Sequence, residues 1–157
     1  MNSKITERLK KIRENNYISQ RKTAKKLHIS KTYYNYFETG ERIITINYLN
    51  SFCNQFSSSF DYILGLTDTN IVAKRKYTLN SELISKRLKQ IRKINKLTQK
   101  DMAKLINTSQ STISSYENGK SMIITAFLFE ICSKLNVSAD YLVGRSNTMK
   151  IFIKDSN

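Results

Sequence analysis

The stretch LTQKDMAKLINTSQSTISSYENGK, residues 97–120, holds two helix starts separated by one tight turn. Thr98 has the side chain of an N-cap, and Gln99 opens the segment QKDMAKLI. Asn107 suits the left-handed conformation that ends such a helix. Two residues later Ser109 offers a second cap, opening QSTISSYEN, which stops at Gly119. Ala103 on the first of these helices is small enough to let the second cross closely over it.

Working outward, Ile84, Leu88 and Ile91 form an apolar stripe on a preceding helix. Leu128, Ile131, Cys132 and Leu135 stripe a later one, and Ser138 caps a last helix, ADYLVG. The unit so read has five short helices, with a helix-turn-helix at its centre. It occurs twice. At an offset of 79 residues and without a gap, Ile5 to Gly65 lie over Ile84 to Gly144, with twenty identities over the 61 aligned positions. The matches include Arg8/Arg87, Arg13/Arg92, Gln20/Gln99, Ala24/Ala103, Glu38/Glu117, Cys53/Cys132 and Tyr62/Tyr141. The expected fold is therefore all-α, two tandem domains at 1–66 and 81–145, a basic linker at 67–80 and a tail at 146–157.

Composition narrows the function. Lys and Arg total 27 against 12 acidic residues, a net charge of +15, which points to a polyanionic partner. Residues 1–66 and 81–145 each hold eleven basic and five acidic residues, so either copy is suited to a polyanion. One histidine, His28, and two cysteines leave no metal cluster, disulfide framework or histidine-based catalysis to expect. Cys53 and Cys132 fall on the buried stripe of the fourth helix and read as small core residues. No apolar run approaches a membrane span and no signal peptide opens the chain, so a cytoplasmic location is expected. No cofactor and no enzymatic activity are expected.

The residues quoted above resemble the Cro/CI-type (Xre-like) helix-turn-helix domain of phage repressors and bacterial regulators. The resemblance covers nearly all of 82–145, including NVSADYL, and more loosely 3–66. It implies a lambda-repressor-like five-helix fold whose third helix enters the major groove of double-stranded DNA. It further implies that Gln99 and Gln20, opening the second helices, hydrogen-bond a phosphate, alongside Lys100 and Arg21. On the third helix Gln110, Ser111, Thr112 and Ser115 face outward to base edges, and Asn118 and Lys120 lie where phosphates pass. Ile113 and Tyr116 point inward. Arg92/Glu117 and Arg13/Glu38 match a structural ion pair of the family, not a catalytic one. Function, on this reading, is sequence-specific DNA binding, as a transcriptional repressor occupying an operator.

The copies differ where recognition is expected. Copy 1 has KTYYNYFETG in place of QSTISSYENG. Tyr34 and Phe37 take the inward positions, while Lys31, Thr32, Tyr33, Asn35 and Tyr36 form the outward face. Two explanations compete. The tyrosines contact thymine methyls and phosphates, with Lys31 on guanine or phosphate, or the face serves protein contact, as in an adaptor or antitoxin. Tyr48, Tyr62, Phe127, Phe129 and Tyr141 are further apolar groups at positions the family usually keeps polar. Partners for them include the segments NIVA (70–73) and MKIFI (149–153), the other copy, or a second chain in a homodimer. Fourteen linker residues span roughly 20 Å as coil, and at most about 50 Å extended. Two half-sites about 34 Å apart are thus within reach of one chain acting as a pseudo-dimer.

Overall fold

Short hydroxyl side chains decide where most of the helices begin. The computed structural model describes residues 2–71 and 75–150. It divides into two compact units at Tyr77/Thr78. Unit 1 holds α1 (Asn2–Asn15), α2 (Gln20–Lys26), α3 (Lys31–Thr39), α4 (Ile46–Phe56) and α5 (Phe60–Leu64). Unit 2 holds α6 (Ser81–Ile94), α7 (Gln99–Leu105), α8 (Gln110–Glu117), α9 (Thr125–Leu135) and α10 (Ala139–Leu142). Among the described residues no strand forms, and one isolated antiparallel bridge joins Val137 and Lys150. The expected all-α, tandem architecture is the one observed.

Ser19, Ser30 and Ser59 in unit 1, and Thr98, Ser109 and Ser138 in unit 2, each accept a backbone N–H at the start of a helix. Thr98 does so within a reciprocal capping box closed by Asp101. Helix ends repeat as faithfully. Tyr17, His28 and Ser57 have φ near +50°, and so do their matched residues Lys96, Asn107 and Asn136. The left-handed turn is thus kept although side chains as different as Tyr and Lys occupy it, because the N–H that follows closes back on the helix, Ile18 on the Arg13 carbonyl and Leu97 on that of Arg92, Ile29 on Ala24 and Thr108 on Ala103. At Gly144, with φ of +86°, an added Cβ would stand 2.9 Å from Leu83 Cδ2, so a side chain there meets both strain and a clash.

In unit 2 the core is Ile84, Leu88, Ile91, Met102, Ala103, Ile113, Leu128, Ile131 and Leu142, none more than 3% exposed. In unit 1 the matched positions include Tyr34, Phe52 and Phe60 where unit 2 has Ile113, Ile131 and Ala139. One backbone plan thus accommodates two fillings of different volume. Cys53 and Cys132 are both buried in these cores.

Two features of the ends were not legible in the sequence. Arg8 on α1 donates to the backbone oxygens of Tyr62 and Thr67 and pairs with Asp68, its guanidinium lying 4.4 Å over the Tyr62 ring. Arg87 repeats the clamp on Tyr141, Ser146 and Asn147, 4.3 Å over the Tyr141 ring. Tyr62 and Tyr141 are thereby occupied within their own units, and the Tyr141 hydroxyl also donates to Gln90. The expected coil after residue 66 is likewise partly engaged. Asn50 and Asn54 donate to the Tyr77 carbonyl at 2.8 Å, and Tyr77 N–H returns to Asn54. Asn70 accepts from Ser58 and from the Ser59 backbone. Parts of the NIVA and MKIFI segments lie outside the described residues; within them, Met149 accepts from the Ser138 backbone.

Candidate nucleic-acid interface

The centre of each unit is a polar tie between its first three helices. In unit 2 Arg92 on α6 grips Glu117 on α8 with two hydrogen bonds, Nε–Oε1 at 2.5 Å and Nη2–Oε2 at 2.9 Å. Arg92 also donates to the Leu97 carbonyl, just before α7. Gln99, the first residue of α7, donates to Glu117 Oε2 at 2.9 Å. The Glu117 side chain is 1% exposed and that of Arg92 12%. Unit 1 repeats the arrangement with Arg13, Glu38, Ile18 and Gln20. A buried bidentate pair thus ties the first helix to the third, and one glutamine ties the second helix to the same carboxylate.

Burial would raise the Glu117 carboxyl, but hydrogen bonds from Arg92 and Gln99, with the Arg92 charge, hold it below the usual carboxylate range. Glu38 is held low in the same way by Arg13 and Gln20. A depressed folded-state pKa contributes stability that is full above the ordinary value of 4.5 and lost as pH falls through the lower folded value. The thermal midpoint, followed by circular dichroism, is therefore expected to hold from neutrality to about pH 5 and to drop below it. A midpoint that stays level down to pH 3, about 1.5 units below the reference carboxylate, would show that the pairs contribute nothing.

On this frame α8 presents its polar residues. Gln110, Ser111, Asn118 and Lys120 are exposed, and Thr112 and Ser115 are half-buried at the edge of the same face. Ser109 Oγ shares hydrogen bonds with the hydroxyls of Ser111 and Thr112, and Ser115 with Ser121 at 2.8 Å. Ile113 and Tyr116 are buried on the opposite side, and burial raises the Tyr116 phenol. Lys100 is exposed on the first turn of α7.

In unit 1 the matched face is differently disposed. Arg21, Lys31 and Thr32 are exposed, while Tyr33, Asn35 and Tyr36 are half-buried. The Tyr33 ring stands edge-on to Phe37 at 5.0 Å and to Tyr48 at 5.8 Å. Arg42 lies over both Tyr33 and Tyr36, at 5.6 and 5.5 Å from the ring centroids. Gln20 Nε2 donates to both Asn35 and Glu38, which engages the amide hydrogens that were expected to reach a phosphate. Gln99 has only Glu117 as such a partner among the described residues, so one of its amide hydrogens stays available. Sequence inspection missed Arg42 as the residue that caps the tyrosine pair. The signal was its placement two residues beyond Gly40, where unit 2 has Ser121.

The helix-turn-helix family matches the chain twice, over residues 9–63 and 88–142, well over half of its length. The two matches stand 79 residues apart, the offset of the internal repeat. The chain belongs to the Xre-type helix-turn-helix family. Among similar proteins of this type is antitoxin PezA of Streptococcus pneumoniae serotype 4. It is 37% identical over 67 residues, which are 43% of this chain and 42% of the relative. The HTH-type transcriptional regulator ImmR of Bacillus subtilis strain 168 is 34% identical over 67 residues, 43% of this chain and 53% of the relative. The chain spans about half the length of these curated relatives. No solved structure matches it. Among the described residues no helix is long and apolar enough to cross a membrane, and no cluster of residues is set to hold a metal ion.

Proposed function

We propose that the chain is a sequence-specific double-stranded DNA-binding protein that regulates transcription by occupying an operator, with α8 as the base-reading helix. The observation that carries this reading is the face of α8. Its first residue, Gln110, is exposed and makes no side-chain hydrogen bond among the described residues; Ser111 and Thr112 follow it on a helix fixed from behind by Glu117, and Lys120 lies just beyond the helix end. A glutamine so placed can pair with adenine through two hydrogen bonds. On this reading residues 1–66 and 81–145 are separately folding domains, and Lys100 and Lys120 contact phosphates.

Gln110→Ala is expected to relax discrimination at one base pair by ~1–3 kcal/mol. It should leave folding intact, because the side chain is exposed. Selection of bound sequences from random DNA, on the whole chain and on each domain, tests the assignment. Preferences unaltered by the substitution would remove α8 from the site.

A second reading is a protein-binding role on the same scaffold. It is favoured by the antitoxin among the relatives and by Tyr17, 97% exposed in the turn before α2. Co-purification of a stoichiometric protein together with the absence of any DNA footprint would select it.

A further inference from the structure

The two units differ most in the segment that their shared fold devotes to recognition. From α2 through the turn after α3, residues 20–42, unit 1 carries Arg21, Lys22, Lys25, Lys26, Lys31 and Arg42 against Glu38 and Glu41. The matched segment of unit 2, residues 99–121, carries only Lys100, Lys104 and Lys120 against Asp101 and Glu117. Glu38 and Glu117 are each already neutralised by an arginine of the first helix. The excess of cations in unit 1 is therefore not consumed internally.

The cations are also gathered. An open groove of about 800 Å³ runs along α2 and the turn to α3, lined by Arg21, Ala24, Lys25, His28, Ile29 and Lys31. Ala24 is buried and Ile29 half-buried, forming an apolar floor; Arg21, Lys25, His28 and Lys31 are exposed around it. His28 is held there by its left-handed turn, φ +56°. In unit 2 the matched residues are Lys100, Lys104, Asn107 and Gln110, two fixed charges instead of three and no histidine.

The groups able to read bases are, by contrast, engaged in unit 1. Tyr33 packs on Phe37 and Tyr48, Arg42 covers Tyr33 and Tyr36, and Asn35 accepts from Gln20. Phosphate contacts add affinity without sequence information, whereas base contacts specify. We infer that unit 1 grips the DNA backbone through the groove of Arg21, Lys25, His28 and Lys31, while unit 2 supplies the sequence discrimination. This rests on the DNA-binding reading above. It replaces a pair of unlike half-site readers with one holder and one reader. Duplex DNA is favoured over an acidic protein because the groove lies at the same α2–turn–α3 edge that carries unengaged Gln110 in unit 2.

The test is a set of binding titrations on the full chain, by fluorescence anisotropy, over a range of salt. The probes are the best duplex from the selection experiment, a shuffled duplex of equal length and an acidic polypeptide, polyglutamate. Lys25→Gln/Lys31→Gln is compared with Lys10→Gln/Lys11→Gln, which removes the same charge from exposed positions on α1. The groove pair is expected to weaken both duplexes by the same factor and to lower the slope of log affinity against log salt by about 1.8. The α1 pair is expected to lower that slope by less than about 0.9. Gln110→Ala should weaken the selected duplex alone and keep the slope. Equal slopes for the two lysine pairs, or a groove pair that weakens only the selected duplex, would overturn the inference while leaving DNA binding in place. Loss of binding to an acidic polypeptide with unchanged DNA slopes would assign the groove to a protein instead. Failure of the wild-type chain to bind either duplex would remove the DNA-binding reading and this inference together.

Discussion

Replacing Glu117 by alanine is expected to unfold residues 81–145 while residues 2–71 keep their structure. The Glu117 carboxylate is almost fully buried and receives Arg92 twice and Gln99 once. Its removal leaves the Arg92 guanidinium, itself mostly buried, without a counter-charge. Stranding one member of a buried pair costs about 3–5 kcal/mol. A domain of this size holds only about 3–10 kcal/mol in total, at roughly 0.05–0.15 kcal/mol per residue. The loss is therefore comparable with the whole stability of the unit, and corresponds to a fall of at least about 12 °C in its midpoint. Hydrogen exchange read by mass spectrometry resolves the two halves of the chain. Fast exchange across α6–α9 beside retained protection in α1–α5 is the expected pattern. The double variant Arg92→Met/Glu117→Leu should recover most of the protection, since no charge is then stranded. Retained protection in α6–α9 of Glu117→Ala would mean that the pair is dispensable and that apolar packing alone sets α8.

Salt is expected to act nearly as strongly on binding. Of the nine exposed cations in the two helix-turn-helix segments, six are expected to meet phosphates: Arg21, Lys25, Lys31, Lys100, Lys104 and Lys120. If each neutralises one phosphate, log affinity falls with log salt at a slope of about 5.4, or 0.9 per contact. Between roughly 50 and 200 mM salt the affinity for duplex DNA then falls about a thousandfold. The surrounding charge does not produce this by itself, because counterions are released only where a cation sits against the backbone. A titration over that range whose affinity changes less than about tenfold would require one or two contacts at most, and the two units would then not both lie on DNA along their α2–α3 and α7–α8 edges.

The pattern of caps explains why so much of the fold could be read from the chain. N-caps, left-handed turn residues and apolar stripes act within a few residues, so local chemistry marks them wherever they occur. Ser109, Asn107 and the Ile84–Leu88–Ile91 stripe are examples, and the offset of 79 doubled each of them. Arg92 and Glu117 were read from a family resemblance, since 25 residues separate them and no local rule couples them.

What the sequence by itself determined was the class: two copies of one five-helix unit, each with a helix-turn-helix and a basic surface. These follow from period, capping and composition, which need no partner across space. Only the tertiary structure decided which side chains remain free to meet another molecule. Gln20 was expected on a phosphate, and it is turned inward because Asn35 and Glu38 stand within reach of its amide. Tyr33 and Tyr36 were expected to face outward, and Tyr48 with Arg42 hold them against the protein. The Arg8 and Arg87 clamps and the Asn50–Tyr77 contacts join residues 27 or more positions apart. Such contacts depend on how the helices pack, and a side chain's availability is settled only after that packing has used what it needs.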